Sequence, residues 1–318
     1  MQNNTIFTLQ TNDIDEMAAA FGGLNLVATQ LSSGSFISNF LQVQLEDIQC
    51  RQISWNQKIQ LLGNMLPNTI SLWVPLTVNY KSIWNGFECH GQTVILNLDG
   101  KVDYTHLAGE LVACTIVSRE QLSQSIRSCE LERLRNASLE HGVLVPNLKQ
   151  LQILRSYLAE IFSLAVSNPD LLSRSHLNQM IIDNLLSSIA ELLIGSKCLS
   201  DQTDRSRTRT LKLKQAVEYI RANLHQPLSL QIIATEIGIS RRSLMYGFRE
   251  LFGMGPMEYC KNNRLNAVRR QLKRADSKSD KVLEIAKGWG FHHMGHFAAD
   301  YKALFGELPS ETLRHSPW

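Results

Sequence analysis

The sequence predicts an α+β protein in two parts: an N-terminal β-rich domain with trailing helices, and a C-terminal all-α domain holding two helix-turn-helix units. Three observations predict it. Apolar residues alternate at period two in the first part, recur at helical spacing from about Leu148, and one apolar pattern near the C-terminus occurs twice. With 318 residues, 44% hydrophobic and 19% charged, the chain is long enough for two cores, and disordered, collagen-like and small disulfide-stapled classes are excluded.

The net charge of +3 conceals an asymmetry. From Arg205 onward the chain holds 20 Lys+Arg against 10 Asp+Glu, a net of +10, which leaves 12 and 19, a net of −7, for the remainder. A phosphate-binding module fused to a neutral or protein-facing module has this pattern; so does a domain whose surface is merely basic. The six cysteines (Cys50, Cys89, Cys114, Cys129, Cys198, Cys260) form no CxxC pair and no repeated spacing, which excludes a zinc knuckle and a disulfide framework and predicts reduced, mostly buried thiols. No stretch approaches the roughly 18 apolar residues of a membrane span. Met1-Gln-Asn-Asn-Thr-Ile lacks the basic flank and apolar run of a signal peptide. The expectation is a cytoplasmic protein with no membrane partner, no metal and no cofactor.

Ile37, Leu41, Val43 and Leu45 mark one extended segment, and Ile70, Leu72, Val74, Leu76 and Val78 another. Turn signals separate such runs. Ser32-Ser33-Gly34 divides Leu24 to Leu31 from Phe36 to Leu45, Asn85-Gly86 lies between two extended segments, and Asp99-Gly100 splits Val94-Ile-Leu-Asn-Leu from Lys101-Val-Asp-Tyr. A meander or barrel-like sandwich follows. Leu151, Leu154, Leu158, Ile161, Phe162 and Ala165 then define a helix ending near Asn168-Pro169, and a second helix is expected from about Pro169 to Leu193. Its stripe of Leu177, Ile181, Leu185, Ile189 and Leu192 suits either its own core or a second subunit. Residues 196–210 are polar and nearly free of apolar side chains, the composition of a linker. The expected domains are therefore 1–195 and 211–318.

After the linker, Ile233-Ala-Thr-Glu-Ile-Gly-Ile239 is matched by Ile285-Ala-Lys-Gly-Trp-Gly-Phe291 at an offset of 52. Leu244, Phe248 and Leu251-Phe-Gly-Met-Gly-Pro256 then match Phe297, Tyr301 and Leu304-Phe-Gly-Glu-Leu-Pro309 at 53. Two copies of one supersecondary unit are present. In the first, spanning about 230–252, Ser229 caps a short helix, Gly238 permits the positive φ of a tight turn, and Ser240 caps the next helix. Ile233, Ile237, Ile239, Leu244 and Phe248 fill the wedge between them. In the second, about 282–305, Val282 to Lys287 precede a turn at Gly288 to Phe291, and Met294 to Phe305 form the following helix.

A helix-turn-helix presents its second helix to the DNA major groove. Here that helix displays Arg241, Arg242, Met245, Tyr246 and Arg249 away from the wedge, and Arg can read guanine bidentately or hold phosphate. An αα-hairpin with a solvated basic face is the plain alternative. Pro256 opens a spacer helix running to about Arg274, with Tyr259, Leu265, Val268 and Leu272 inward. At ~1.5 Å per residue it is roughly 27 Å long, near the ~34 Å repeat of the duplex. Its Lys261, Arg264, Arg269, Arg270, Lys273 and Arg274 read as a solvated surface with a few phosphate contacts.

The run Leu228-Ser-Leu-Gln-Ile-Ile-Ala-Thr-Glu-Ile-Gly-Ile-Ser-Arg-Arg-Ser-Leu, with Arg264-Leu-Asn-Ala-Val-Arg-Arg-Gln-Leu, Ile285-Ala-Lys-Gly-Trp-Gly-Phe and Lys302-Ala-Leu-Phe-Gly-Glu-Leu-Pro-Ser-Glu, resembles the DNA-binding domain of the AraC/XylS family of bacterial transcription regulators. The resemblance covers about the last 105 residues. It implies base-reading positions at Arg242, Met245 and Tyr246 and, in the second helix, at Met294, Gly295, His296, Ala298 and Ala299. The second set departs from the polar or Arg side chains that members reading bases directly often carry. Thymine-methyl packing, phosphate contact or shape readout fits it better than a hydrogen-bonded code. His292, His293 and His296, with Lys302, are expected to face DNA; phosphate or base contact accounts for the histidines without a metal.

The resemblance also implies that the N-terminal part is a cupin-like sensor domain that binds a small-molecule effector and forms a homodimer. It further implies that the chain acts as an activator working with RNA polymerase. No HxH pair of a metal-binding cupin enzyme is present, and His90, His106, His141 and His176 are isolated. Trp55, Trp73, Trp84, Phe87 and Tyr104 are candidates for lining an effector pocket, although aromatic residues in a β-domain are more often core. Two other readings stay open: a DNA-alkyl-transfer repair protein with the same DNA-binding domain and a Cys acceptor, and a regulator governed by a protein partner. The scattered cysteines speak against the first. The expectation is a sequence-specific regulator of double-stranded DNA, not an enzyme.

Overall fold

The structure is a computed structural model that describes residues 6–315 apart from 23–25, 99, 107, 108, 110, 141 and 199–203. Leu24, Asp99, His141, the first five residues and part of the expected linker lie outside the described residues. In chain order the elements are β1 (Ile6–Thr11), α1 (Ile14–Ala20), β2 (Val27–Gln30), β3 (Ser38–Leu45), β4 (Ile48–Trp55), β5 (Ile59–Asn64), β6 (Thr69–Pro75), β7 (Lys81–Trp84), β8 (Phe87–His90), β9 (Val94–Asn97), β10 (Lys101–His106) and β11 (Leu111–Ser118). There follow α2 (Arg119–Ser125), α3 (Ser128–Glu140), β12 (Val143–Val145), α4 (Leu148–Ser167), α5 (Pro169–Leu172), α6 (Ser175–Ile194) and β13 (Lys197–Cys198). The C-terminal helices are α7 (Asp204–Ala222), α8 (Leu230–Ile237), α9 (Arg241–Phe252), α10 (Pro256–Arg274), α11 (Val282–Gly288), α12 (Met294–Phe305) and α13 (Pro309–Arg314).

The chain forms two compact units: Met1–Val27, Ile37–Asn56 and Leu61–Asp201 in one, and Ala28–Phe36, Gln57–Gln60 and Gln202–Trp318 in the other. In the first, eight antiparallel strands are ordered β1-β3-β4-β11-β6-β9-β12-β13. A smaller antiparallel set carries β10-β7-β8. The period-two alternation decides which layer each residue enters. Leu41, Val43 and Leu45 of β3 and Ile70, Leu72 and Val74 of β6 pack with α4 and α6. The alternate residues Phe40 and Trp73 join an aromatic layer with Phe21, Trp84 and Tyr104. Both faces are covered, so β6 is buried at all but its first residue. The Asn85-Gly86 turn joins β7 to β8 with both residues at positive φ, as a two-residue hairpin of primed type requires.

Two expectations change here, and one alternative left open is settled. The second trailing helix is broken: α5 ends at Leu172, Arg174 is extended, and α6 starts at Ser175. The Ser173 hydroxyl donates to the Asp170 carbonyl, so a side chain satisfies that helix end and a new helix begins. The Ile181, Leu185, Ile189 and Leu192 stripe is core against α4. By length and composition α6 could cross a membrane, yet its apolar stripe is buried within the unit. The expected linker also differs, since Lys197–Cys198 pairs with β12 and helix α7 already begins at Asp204. Sequence reading passed over α1, capped by Asp13, and α2, opened by a Ser118/Gln121 capping box.

The second unit is not contiguous in sequence. Gln30 N–H donates to Asn266 Oδ1 and Asn266 Nδ2 donates back to the Gln30 carbonyl, each at 2.9 Å. Asn262 Nδ2 holds the Leu31 carbonyl at 3.0 Å, and the Leu31 side chain is buried with Leu213, Phe248 and Tyr259. Asn262, Asn263 and Asn266, polar residues buried on α10, are explained by these backbone partners and by the carbonyls of their own helix.

Candidate nucleic-acid interface

The two repeats fold into the same motif at the same offsets. Gly238 and Gly290 take φ of 69° and 84°. In each turn the residue after that glycine donates to the carbonyl five residues back: Ile239 to Ala234 and Phe291 to Ala286, both at 3.0 Å. This is the 6→1 bond of a Schellman-type helix end, repeated at 52 residues. Helices α9 and α12 end on left-handed Gly253 and Gly306, and Pro256 and Pro309 open the helices that follow, both repeated at 53. Ser229 and Ser240 cap α8 and α9 through their hydroxyls, whereas His293 at the start of α12 makes no such bond. In the wedge Ile233, Leu244 and Phe248 are fully buried, with Ile237 nearly so.

On α9, Arg241, Arg242, Tyr246 and Arg249 are exposed and Met245 is half-buried. The Arg242 guanidinium carbon lies 5.3 Å from the Tyr246 ring centre, within cation–π range. Beside it, a cavity of about 550 Å³ is walled by Arg209 and Lys212 of α7 and by Arg242 and Tyr246. Lys212 Nζ donates to the Ile237 carbonyl at 2.9 Å and Arg209 pairs with Glu250 at 2.5 Å. In the turn before α12, His292 and His293 are exposed, as are His296 and Lys302 on the helix, while Met294 is half-buried; the rings of His293 and His296 are 6.4 Å apart. Among the described residues no group of three His, Cys, Asp or Glu side chains is placed to hold a metal.

The basic face of α10 is not the solvated surface expected. Arg264 holds the Leu224 and Gln226 carbonyls at 2.8 and 2.5 Å, and Lys261 pairs with Asp300 at 2.7 Å. Arg269 pairs with Glu307 at 3.0 Å, and Arg270 donates to the Ala28 carbonyl at 2.9 Å. Helical spacing shows which residues avoid a motif's own wedge, but not that a second surface lies opposite them.

A family profile described as a helix-turn-helix domain matches residues 233–315. The "Probable thc operon regulatory protein" of Rhodococcus erythropolis is 44% identical over 106 residues, covering 33% of this chain and 32% of that protein. The "XylDLEGF operon transcriptional activator 3" of Pseudomonas putida is 39% identical over 101 residues, 32% of this chain and 30% of that one. The matched segment thus spans about a third of each of these curated relatives. A solved structure described as a probable AraC family transcriptional regulator from Rhodopseudomonas palustris is 33% identical, with a TM-score of 0.30, over 33% of this chain and 97% of that one. By its C-terminal domain the chain belongs to the AraC/XylS family.

In this AraC/XylS chain the N-terminal aromatic candidates are packed against one another. Trp55, Trp73, Trp84, Phe87 and Tyr104 are all buried. Trp73 lies 5.1 Å from Tyr104 and 6.4 Å from Trp84, centre to centre. Sequence reading set His106 aside as isolated, but it is buried within this group, 4.8 Å from Trp55, 5.4 Å from Tyr80 and 5.7 Å from Tyr104. The Tyr80 and Tyr104 hydroxyls hydrogen-bond each other. Among the described residues, both ring nitrogens of His106 and the Trp55 indole nitrogen are buried without a hydrogen-bond partner, and burial pushes the His106 pKa down to about 3. A separate cavity of about 640 Å³ in this unit is lined by Ile70, Leu98, Arg119 and Arg135 among others.

Cys50, Cys89 and Cys114 are buried, and desolvation pushes each thiol up to about 12, the reverse of an activated nucleophile. Cys260 is also buried, its thiol raised by desolvation; Cys129 is exposed and Cys198 half-buried. Signals for the Arg264 clamp and for the partners of Asn262 and Asn266 were absent locally, because those partners are carbonyls distant in sequence.

Proposed function

We propose that this chain is a sequence-specific transcriptional regulator of double-stranded DNA that places α9 and α12 in successive major grooves. The observation that carries the reading is the duplicated helix-turn-helix, whose first recognition helix exposes Arg241, Arg242, Tyr246 and Arg249 in the part of the chain with net charge +10. Arg242 and Tyr246 contact bases with Met245, and Arg241 and Arg249 hold phosphates. At the start of and along α12, His292, His293, His296, Met294 and Lys302 contribute phosphate and shape readout more than a base code. The relatives named as transcriptional activators support activation, with RNA polymerase as the partner contacted.

The N-terminal unit responds to a small-molecule effector and mediates homodimerisation in the cytoplasm. Support for a ligand comes from the cavity of about 640 Å³ lined by Ile70, Leu98, Arg119 and Arg135, where apolar walls meet two guanidinium groups suited to an anionic molecule. Support for a homodimer comes from Ile153 and Val166 of α4 and Met180 of α6, which are 47%, 71% and 49% exposed. Regulation requires that the effector favour one arrangement of the chain over another. Genome-wide footprinting of the full-length protein, with and without cell metabolite extract, tests the reading. Discrete sites with two half-elements about one helical turn apart are expected; diffuse occupancy under both conditions would overturn it.

A further inference from the structure

The two helix-turn-helix motifs have separate apolar clusters. One takes Tyr259 and Cys260 from α10; the other takes Leu265, Val268 and Leu272. Between them α10 presents Asn262, Asn263 and Arg264, so its middle is a polar joint. A 19-residue helix is ~28 Å long, and a bend of about 10° at its centre swings one end sideways by roughly 2.5 Å relative to the other half, close to the ~3.4 Å rise of one base pair. The spacing of the recognition helices is therefore sensitive to small flexing at this joint.

Among the contacts that bridge the two motifs around it, a closed circuit runs through the loop after α7. Arg264 grips the carbonyls of Leu224 and Gln226, in the loop that leaves α7 within the first motif's body. His225, between those two residues, lies against Trp289 with ring centres 3.9 Å apart and planes 31° apart. Trp289 belongs to the turn of the second motif, and its Nε1 donates at 2.8 Å to Gln271 Oε1, back on α10. Bending α10 in the plane of this circuit must separate the rings or break charge-assisted bonds. None of these residues lies on α9 or α12.

We infer that Trp289, His225 and Arg264 are positioning residues that set the distance between the recognition helices, and so select the spacing of the two DNA half-elements, not the sequence of either. The inference rests on the two-helix reading above. The test measures binding of the full-length chain to three duplexes from a footprinted site: native spacing, one base pair inserted, and a single half-element. Trp289→Ala and His225→Ala are expected to reduce the preference for native spacing by about tenfold while single-element affinity stays within about twofold. Trp289→Phe, which keeps a stacked ring, should retain most of the preference. His225→Ala covers the case in which Trp289→Ala, packed against the second cluster, unfolds that motif. Equal weakening on all three duplexes would make these residues plain DNA or folding contacts and overturn the inference, as would an unchanged preference. Wild-type protein indifferent to spacing would overturn the two-helix reading itself, and this inference with it.

Discussion

Arg242 sits in the first turn of α9, leaning over the Tyr246 ring, and no carboxylate among the described residues pairs with its guanidinium. A base-reading Arg in that position makes a sharp prediction. Arg242→Ala should cost about 1–3 kcal/mol at one base-pair position and relax specificity there, measured against a panel of single-base-pair variants. A uniform loss over the panel would identify a phosphate contact instead. His106 makes another. Its pKa of about 3 in the fold lies below the ordinary value of 6.5, so between those limits the unfolded chain binds the extra proton and stability falls as pH falls. The slope approaches about 1.4 kcal/mol per pH unit. Denaturant unfolding at pH 7.5 and 5.5 should show a smaller acid loss for His106→Phe than for wild type; equal losses would show that His106 does not titrate in this way.

At the level of elements, the glycines separate backbone need from mere space. Gly238 has only Lys212 Nζ at 4.0 Å from the place of a Cβ, and Gly288 has nothing within 4 Å. Only Gly238 has positive φ. Gly238→Ala should therefore cost about 1–2 kcal/mol by thermal unfolding, while Gly288→Ala, at the end of α11, is neutral or stabilising by up to ~1 kcal/mol. These helices were legible in sequence because their signals are local: Ser229, Ser240, Gly238 and Pro256 each act on residues within a turn of themselves. The exposed side chains of α9 were legible for the same reason. The partners of Gln30 and Asn266, 236 residues apart, were not, since no periodicity links them. The aromatic residues of the N-terminal unit were legible as burial candidates, but period two could not place His106 among them, because that grouping depends on which strands pair.

For the whole molecule, charge partition predicts the binding mode. With net +10 from Arg205 onward, affinity of the full-length protein for its sites should fall by about 10³-fold between roughly 50 and 200 mM salt if at least six phosphates are contacted. Titrations across that range give the slope directly, and salt-indifferent binding would refute the charge argument. The boundary between the two units crosses the chain after Val27, Phe36, Asn56, Gln60 and Asp201. The helical unit borrows Leu31 for its apolar cluster, and Lys58 Nζ holds the Phe252 carbonyl at 2.7 Å at the end of α9. For protein engineering this means that residues 205–318 are not a transplantable cassette. A hybrid regulator built by splicing them behind a foreign sensor keeps both recognition helices but omits two short inserts of its own architecture, and needs a host loop with equivalents of Gln30, Leu31 and Lys58.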